Sequence, residues 1–322
     1  MSNFKAFIGQ SPIMADVINS ARIVSSSDVT VLITGETGTG KEVLAHALQQ
    51  ESSRRDKAFI TLNCAALPES LVESELFGHK KGAFTGATAD KEGLLKAANG
   101  GTLFLDEINS LSLPIQGKLL RFLESGEYMA VGDTKTHKLN VRILAATNTD
   151  LNKEILQGTF RQDLYFRLNV IPIELPPLRE RLEDIEALTE HFFSNYAKTH
   201  ALPVAKFSPS SLQSLTNYPW PGNIRELRNL CERFSILMSG KTIETDSLPP
   251  EIIKHSLNVM PSSFNLPSDG VKLDTLLTSF IQQALQRSQG NYSKSAKLLG
   301  ISRFTLYYRL RKMSIDTPKF SD

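Results

Sequence analysis

Lys41 and the pair Asp106-Glu107 are the residues of this chain whose types and surroundings could do chemistry together. Lys41 closes the run Gly35-Glu36-Thr37-Gly38-Thr39-Gly40-Lys41-Glu42. Three glycines let the backbone curl so that several N–H groups face one anion. A lysine at this spacing then reaches the β- and γ-phosphates of a nucleoside triphosphate. Further on, the apolar run Thr102-Leu103-Phe104-Leu105 ends in Asp106 and Glu107. Beside a phosphate loop, Asp106 is placed to hold magnesium, directly or through water, and Glu107 to orient and deprotonate an attacking water. Glu42 stands where a Ser or Thr usually meets the metal, so the usual hydroxyl ligand is missing.

Other groups bear on the same reaction. Ala145-Ala146-Thr147-Asn148 puts a polar pair after an apolar run, where Thr147 and Asn148 could sense the γ-phosphate. Arg161 and Arg167 stand six apart, on neighbouring faces of one expected helix. Phosphoryl transfer needs positive charge at the γ-phosphate, and an arginine from a neighbouring subunit supplies it only in an assembled ring. Two stretches have no place in this chemistry. Gly82-Ala83-Phe84-Thr85-Gly86-Ala87 is a glycine-rich tip that carries an aromatic residue outward, which suits contact with a partner. Residues 291–312 read as two short helices joined at Gly300, with Ser302 capping the second and Arg303, Thr305, Tyr308, Arg309 and Lys312 on its exposed face. That is a helix-turn-helix with a basic DNA-reading helix.

These residues need a scaffold. Strand-like runs at Val29–Thr34, Ala58–Asn63, Thr102–Leu105, Val141–Thr147 and Val170–Leu175 alternate with helical stretches such as Glu69–Phe77, Pro114–Glu124 and Leu151–Gln157. The pattern predicts a parallel sheet covered by helices, an α/β fold. After Pro176-Pro177 the character changes to all-helical: Arg181–His200, Ser208–Asn217 and Ile224–Met238, with the lone Trp220 as a wedge between helices. The proline-rich stretch from Gly240 reads as a linker. The expected division is an α/β part at 1–178, a helical lid at 179–240, a linker at 241–270 and the helix-turn-helix at 271–322.

Composition sets the outer bounds. The 322 residues suffice for two or three domains, and 41% hydrophobic with 22% charged residues is ordinary for a globular protein. The first residues lack the apolar core of a signal peptide and no run is long enough to span a membrane, so a cytoplasmic location is expected. Two distant cysteines, Cys64 and Cys231, indicate neither a zinc site nor a disulfide framework. The net charge of +2 hides an asymmetry: from Val271 onward nine Lys or Arg face three Asp, a surplus of six that leaves the rest at −4. A basic end on a mildly acidic body suits a polyanion-binding module.

With these motifs in hand, the chain resembles the bacterial enhancer-binding proteins, AAA+ activators of sigma-54-dependent transcription, over nearly its whole length. Gly82–Ala87 matches the family's signature loop, which contacts sigma-54. Residues 35–42, 62–67, 75–79, 100–107, 160–168, 175–181 and 220–227 also fit, and the tail is similar to Fis-type DNA-binding domains. The resemblance implies an AAA+ P-loop NTPase with a helical lid that uses ATP and Mg2+, a ring of like subunits, and sigma-54 RNA polymerase and upstream enhancer DNA as partners. It implies that Glu42 is normal here, that Asn63 toggles Glu107, that Arg161 and Arg167 act across the subunit boundary, and that Arg225 senses nucleotide from the lid. Phe7–Pro12 resembles the start of the AAA+ module. The expected layout is therefore that of the stand-alone members, such as the phage-shock activator, controlled by a regulatory protein acting in trans. Two other readings differ in class: a DNA-binding regulator whose AAA+ domain is only a platform, and an AAA+ helicase of another substrate. The first would be favoured by a damaged signature loop, Lys41 or Glu107, and the second leaves the signature loop without a purpose.

Overall fold

The computed structural model describes residues 7, 9–258 and 273–312. Five strands form one parallel sheet: β1 (Val31–Thr34), β2 (Phe59–Asn63), β3 (Thr102–Asp106), β4 (Arg142–Thr147) and β5 (Ile171–Glu174). Across the sheet they run β2, β3, β4, β1, β5, each paired in parallel with its neighbour. Each lies within two residues of its expected bounds.

The strands are continuously apolar because both faces of the sheet are covered. On β3, Leu103 and Leu105 join a core with Leu32 and Ile143, while Phe104 points to the opposite core with Ile33 and Leu144. The second face is covered by α1 (Pro12–Ser25) and α2 (Lys41–Gln50). Over the first lie α3 (Glu69–Phe77), α4 (Leu94–Ala97), α5 (Leu113–Ser125), α6 (Leu151–Leu156) and α7 (Gln162–Leu168). Parallel strands bring all carboxyl ends to one edge, where an open α/β sheet binds its ligands. That edge collects the loop after β1, Asn63, Asp106, Glu107 and Asn148 from four strands distant in sequence.

Two short ribbons interrupt this pattern. Gly78–His79 pairs antiparallel with Lys91–Glu92 and encloses the loop that contains residues 82–87. Glu127–Tyr128 pairs with His137–Lys138 after α5, a hairpin absent from the sequence reading. The two are joined: Lys80 N–H donates to Val131 O and Val131 N–H to Gly78 O, both at 2.9 Å.

The lid comprises α8 (Asp184–His200), α9 (Pro209–Thr216), α10 (Asn223–Leu237) and α11 (Pro250–Asn258). Trp220 is fully buried at its centre, and its indole N–H donates to Leu215 O at 2.8 Å. Here the structure departs from the expected linker at 241–270. Thr242–Ile243 pairs with Lys206–Phe207, and Ile243, Leu248 and Ile252 enter the lid core. The prolines that read as breakers instead start a helix, since Pro250 at its first turn forfeits no hydrogen bond. The remainder of the expected linker, 259–270, lies outside the described residues.

A separate compact unit holds α12 (Leu273–Arg287), α13 (Tyr292–Leu298) and α14 (Arg303–Lys312). Ala296, Leu306 and Leu310 form its core together with Ile281 from α12, with Leu299 and Ile301 partly buried against it. Among the described residues no helix is long and apolar enough to cross a membrane.

Candidate functional site

The phosphate loop is left-handed at Gly38 (φ +82°) and Gly40 (φ +105°). A Cβ at Gly38 would lie 2.4 Å from Gly222 O of the lid, so a glycine permits both the turn and the lid's approach. Thr39 is buried, and its hydroxyl donates to Glu36 O at 2.8 Å, tightening the turn from inside. Lys41 is 8% exposed, with Nζ donating to Gly35 O at 2.8 Å and Glu36 O at 3.2 Å. Burial pushes the lysine's pKa down, against the opposing pull of Asp106 and Glu107.

Gly38, Gly40, Lys41, Asp106 and Glu107 line a cleft of about 200 Å³ together with Glu42, Arg225 and Arg228. Asp106 is raised above the usual carboxylate range by burial, with Lys41 pulling the other way, and it accepts the Glu107 N–H at 3.0 Å. Glu107 has φ +53° and ψ +49°, left-handed backbone that costs a non-glycine residue roughly 1–3 kcal/mol. Strain of this kind concentrates at functional positions, and here it sets a carboxylate in the cleft wall.

The donors present fit a triphosphate and magnesium. Turning backbone, a helix N-terminus at α2 and one buried ammonium suit the phosphates, while Asp106 and Glu42 offer carboxylate oxygens in the same cleft. Among the described residues no group of three or more His, Cys, Asp or Glu side chains could hold a metal by itself. A magnesium ion that shares its oxygen ligands with phosphate and water needs only one or two carboxylates.

The lid is tied down over this loop by residues whose pairing the sequence did not announce. Arg179 makes two bonds to the Glu36 carboxylate, at 2.8 and 2.6 Å, and this holds the Glu36 pKa down to about 2. Asn223, fully buried and at φ +50°, donates to both Glu36 Oε2 and Thr37 O at 3.1 Å, while its Oδ1 accepts Leu178 N–H at 2.8 Å. Arg181 reaches Thr39 O at 3.0 Å and Met14 Sδ at 3.1 Å. Asp184 accepts from the N–H groups of Gln10 (2.6 Å) and Ser11 (2.8 Å) and from the Ser11 hydroxyl (3.0 Å), which fixes the front of α1 to the front of α8. The motifs at 175–181 and 220–227 carry Arg179, Arg181 and Asn223 but not Asp184, yet only tertiary packing reveals whom they meet.

Other expected site residues are placed as follows. Asn63 pairs in register with Asp106, and its Oδ1 accepts Ala65 N–H at 2.9 Å; among the described residues no hydrogen bond joins it to Glu107. Asn148 donates to Thr37 Oγ1 at 3.0 Å and so touches the phosphate loop. Thr147 is fully buried, its hydroxyl bonded to Asn109 and Thr149, so it supports the strand end from below the surface. Arg225 lines the cleft and its N–H donates to Gly38 O at 3.3 Å; Arg228, one helical step beyond, escaped the sequence reading. Arg161 precedes α7 at its N-cap and Arg167 lies in its last turn. Both are exposed: Arg161 pairs with Asp163 at 2.7 Å, and Arg167 Nε donates to Leu123 O at 3.2 Å. Neither lines this chain's own cleft.

The loop at 82–87 also stands outside the cleft. Thr85 is exposed at its tip, Ala87 is buried at its base, and Gly82 N–H donates to Ala87 O at 2.9 Å. Phe84 is 41% exposed rather than wholly outward, because its ring stands edge-on to His79 at 4.9 Å. In the second unit, Ser302 Oγ accepts Thr305 N–H at 3.0 Å, and the two hydroxyls are 2.7 Å apart. Arg303 and Tyr308 are exposed, Thr305 and Arg309 half-buried; the side chain of Lys312 lies outside the described residues.

Comparison with known proteins agrees with this arrangement. Residues 7–174 match the Sigma-54 interaction domain, 179–263 the AAA+ ATPase lid domain, and 279–313 the Bacterial regulatory protein, Fis family. The transcriptional regulatory protein ZraR of Salmonella typhimurium is 46% identical over 305 residues, covering 95% of this chain and 68% of that protein. The regulatory protein AtoC of Escherichia coli is 44% identical over 309 residues, 95% of this chain and 67% of that one. Among solved structures, NtrX from Brucella abortus in complex with ATP superimposes with a TM-score of 0.71 at 32% identity, over 95% of this chain and 68% of that one. A parallel-sheet P-loop core, a helical lid and a Fis-type helix-turn-helix in this order, with the signature loop at 82–87, establish that the chain belongs to the AAA+ activators of sigma-54-dependent transcription.

Proposed function

We propose that this protein is an ATPase that works as a homo-oligomeric ring, binds DNA upstream of its promoters and uses hydrolysis to remodel the closed complex of sigma-54 RNA polymerase. The observation that carries this reading is the convergence of Lys41, Asp106 and Glu107 on one cleft, in a module that presents an exposed loop elsewhere. In this reading the backbone of residues 35–40 and Lys41 bind and orient the phosphates. Glu107 holds the attacking water and takes its proton. Asp106, with Glu42 beside it, would hold a magnesium ion, which would supply neutralising charge at the phosphates. Asn148 and Arg225 report the phosphates to the strand edge and to the lid, Thr147 holds that edge, and Asn63, unbonded to Glu107 in this structure, toggles it in response to the nucleotide.

Arg161 and Arg167 complete the site of the next subunit. Their exposure away from their own cleft supports this role, since a transition-state charge from outside couples turnover to assembly. The loop at 82–87 takes the sigma-54 contact, and Ser302, Arg303, Thr305, Tyr308, Arg309 and Lys312 form the DNA face of α14.

Glu107→Gln is expected to bind ATP with near-parent affinity while turnover falls by about 100-fold or more, the usual contribution of a positioned base. Turnover near the parent rate would remove Glu107 from this role. Mixing Arg161→Ala with Lys41→Ala subunits should restore part of the activity that each lacks, because some interfaces then pair an intact phosphate loop with an intact arginine. A mixture no better than its components would place the arginine in its own subunit's site.

A further inference from the structure

In the second unit, Leu306 and Leu310 of α14 are fully buried against Ile281 and Ala296. Helical periodicity therefore turns the opposite face outward. That face carries Phe304, 80% exposed, and Tyr308, 63% exposed, one turn further on. A single exposed apolar residue is ordinary on a protein surface. Phe304 differs by its position: it lies in the first turn of the second helix of a helix-turn-helix, the part that meets base edges in this geometry.

Its neighbours narrow the chemistry. The hydroxyls of Ser302 and Thr305 are engaged with each other and with the helix start, so they hold the turn. The basic residues Lys294, Lys297, Arg303 and Arg309 favour a polyanion over an apolar protein surface. A phenylalanine ring in a DNA groove has no hydrogen bond to offer. The apolar feature that a base pair displays in the major groove is the C5-methyl group of thymine.

We propose that Phe304 is a specificity-determining residue that packs on the C5-methyl group of one thymine in the DNA that each α14 reads. This rests on α14 being the helix that enters the major groove. It goes further in assigning a base and an atom.

The test uses the full chain and a duplex selected by it from a random pool. Each thymine is replaced in turn by deoxyuridine, which removes the methyl group and nothing else. At one position for each α14 bound the parent protein should bind about fourfold more weakly, the effect of losing one buried methyl-sized contact. Phe304→Ala should bind the thymine and deoxyuridine duplexes equally, and Phe304→Leu should recover part of the preference. The substitution is at an exposed site, so its unfolding transition should match the parent's. A methyl preference that persists in Phe304→Ala, or no thymine that matters to the parent, would overturn the proposal. So would a change in oligomeric state without a methyl effect, which would assign Phe304 to a second copy. Arg303→Ala separates the two levels. If it weakens binding on all duplexes and lowers the salt dependence while Phe304→Ala keeps the methyl preference, α14 is on the DNA and only the Phe304 assignment fails. If neither variant alters binding, α14 is not the reading helix at all.

Discussion

The nucleotide cleft is held by many elements at once, whereas the loop at 82–87 is held mostly by itself. Around the phosphate loop, Glu36 receives Arg179 and Asn223, Thr37 receives Asn148 and Asn223, and Thr39 receives Arg181. Those partners come from β4's end, the turn at residues 178–181 and α10. The signature loop closes on its own backbone, through Gly82 to Ala87 and Ala87 N–H to Phe84 O. Its outside support is the 127–138 hairpin at its base and one edge contact between Phe84 and His79. Regions with few independent contacts open at low free-energy cost, and those with many open only with the whole domain. The contrast assigns the working parts: a stiff cleft can register the state of a phosphate, and a loosely held loop can change position in response.

The largest expected effects break this contrast from either end. Lys41→Ala removes the buried ammonium of the phosphate loop, and hydrogen bonds to charged groups are worth about 1.5–3 kcal/mol, so ATP affinity should fall roughly 10–100-fold in a binding titration. Thr85→Ala touches only the loop. It should leave ATP turnover within about twofold while open-complex formation at a sigma-54 promoter is lost. Equal damage to turnover by Thr85→Ala would show that the two regions are one unit and end the comparison.

An intermediate effect should sharpen it. Asn223→Ala strips partners from Leu178 N–H, Thr37 O and Glu36, and the first of these is buried. A buried group left unpaired costs about 1–3 kcal/mol, which denaturant unfolding of the full chain would read. The smallest effect belongs to the exposed neighbour. Glu36 and Arg179 are each over two-fifths exposed, so a double-mutant cycle of Glu36→Gln and Arg179→Ala should give a coupling below ~1 kcal/mol despite the bidentate geometry. The sign with pH follows from the lowered carboxylate: the pairing is complete at neutral pH and is lost only as the pH falls from the ordinary value of 4.5 towards about 2. A coupling larger than that of Asn223 would invert the order in which the lid's ties matter.

The legible parts of this molecule are those in which local rules and tertiary position coincide. A β-branched run broken by glycines and followed by helical spacing fixes Lys41, and an apolar strand ending in two carboxylates fixes Asp106 and Glu107 at the same sheet edge. What escaped has a physical reason in each case. The hairpin at 127–138 has two-residue strands, too short to show a period. The end of the lid was hidden because Pro249 and Pro250 signal both a breaker and a helix start. Arg179, Arg181 and Asn223 were present in quoted motifs, but a side chain's partner is decided by how two subdomains meet. Thr147 looked like a surface sensor because a polar residue at a strand end is usually exposed; here Asn109 and Thr149 satisfy its hydroxyl inside.

The bonds from residues 10 and 11 to Asp184 make the front of α1 a lever on the lid. Asp184 begins α8, a few residues beyond Leu178, where the chain leaves the sheet for the lid, and it is wholly buried with both of its oxygens engaged. A displacement of residues 10 and 11 would therefore meet the lid at the first turn of α8, close to where the chain enters it. The same joint works in reverse: a displacement of the lid would be felt at the start of α1 through Asp184 as well as at the phosphate loop through Arg179, Arg181 and Asn223.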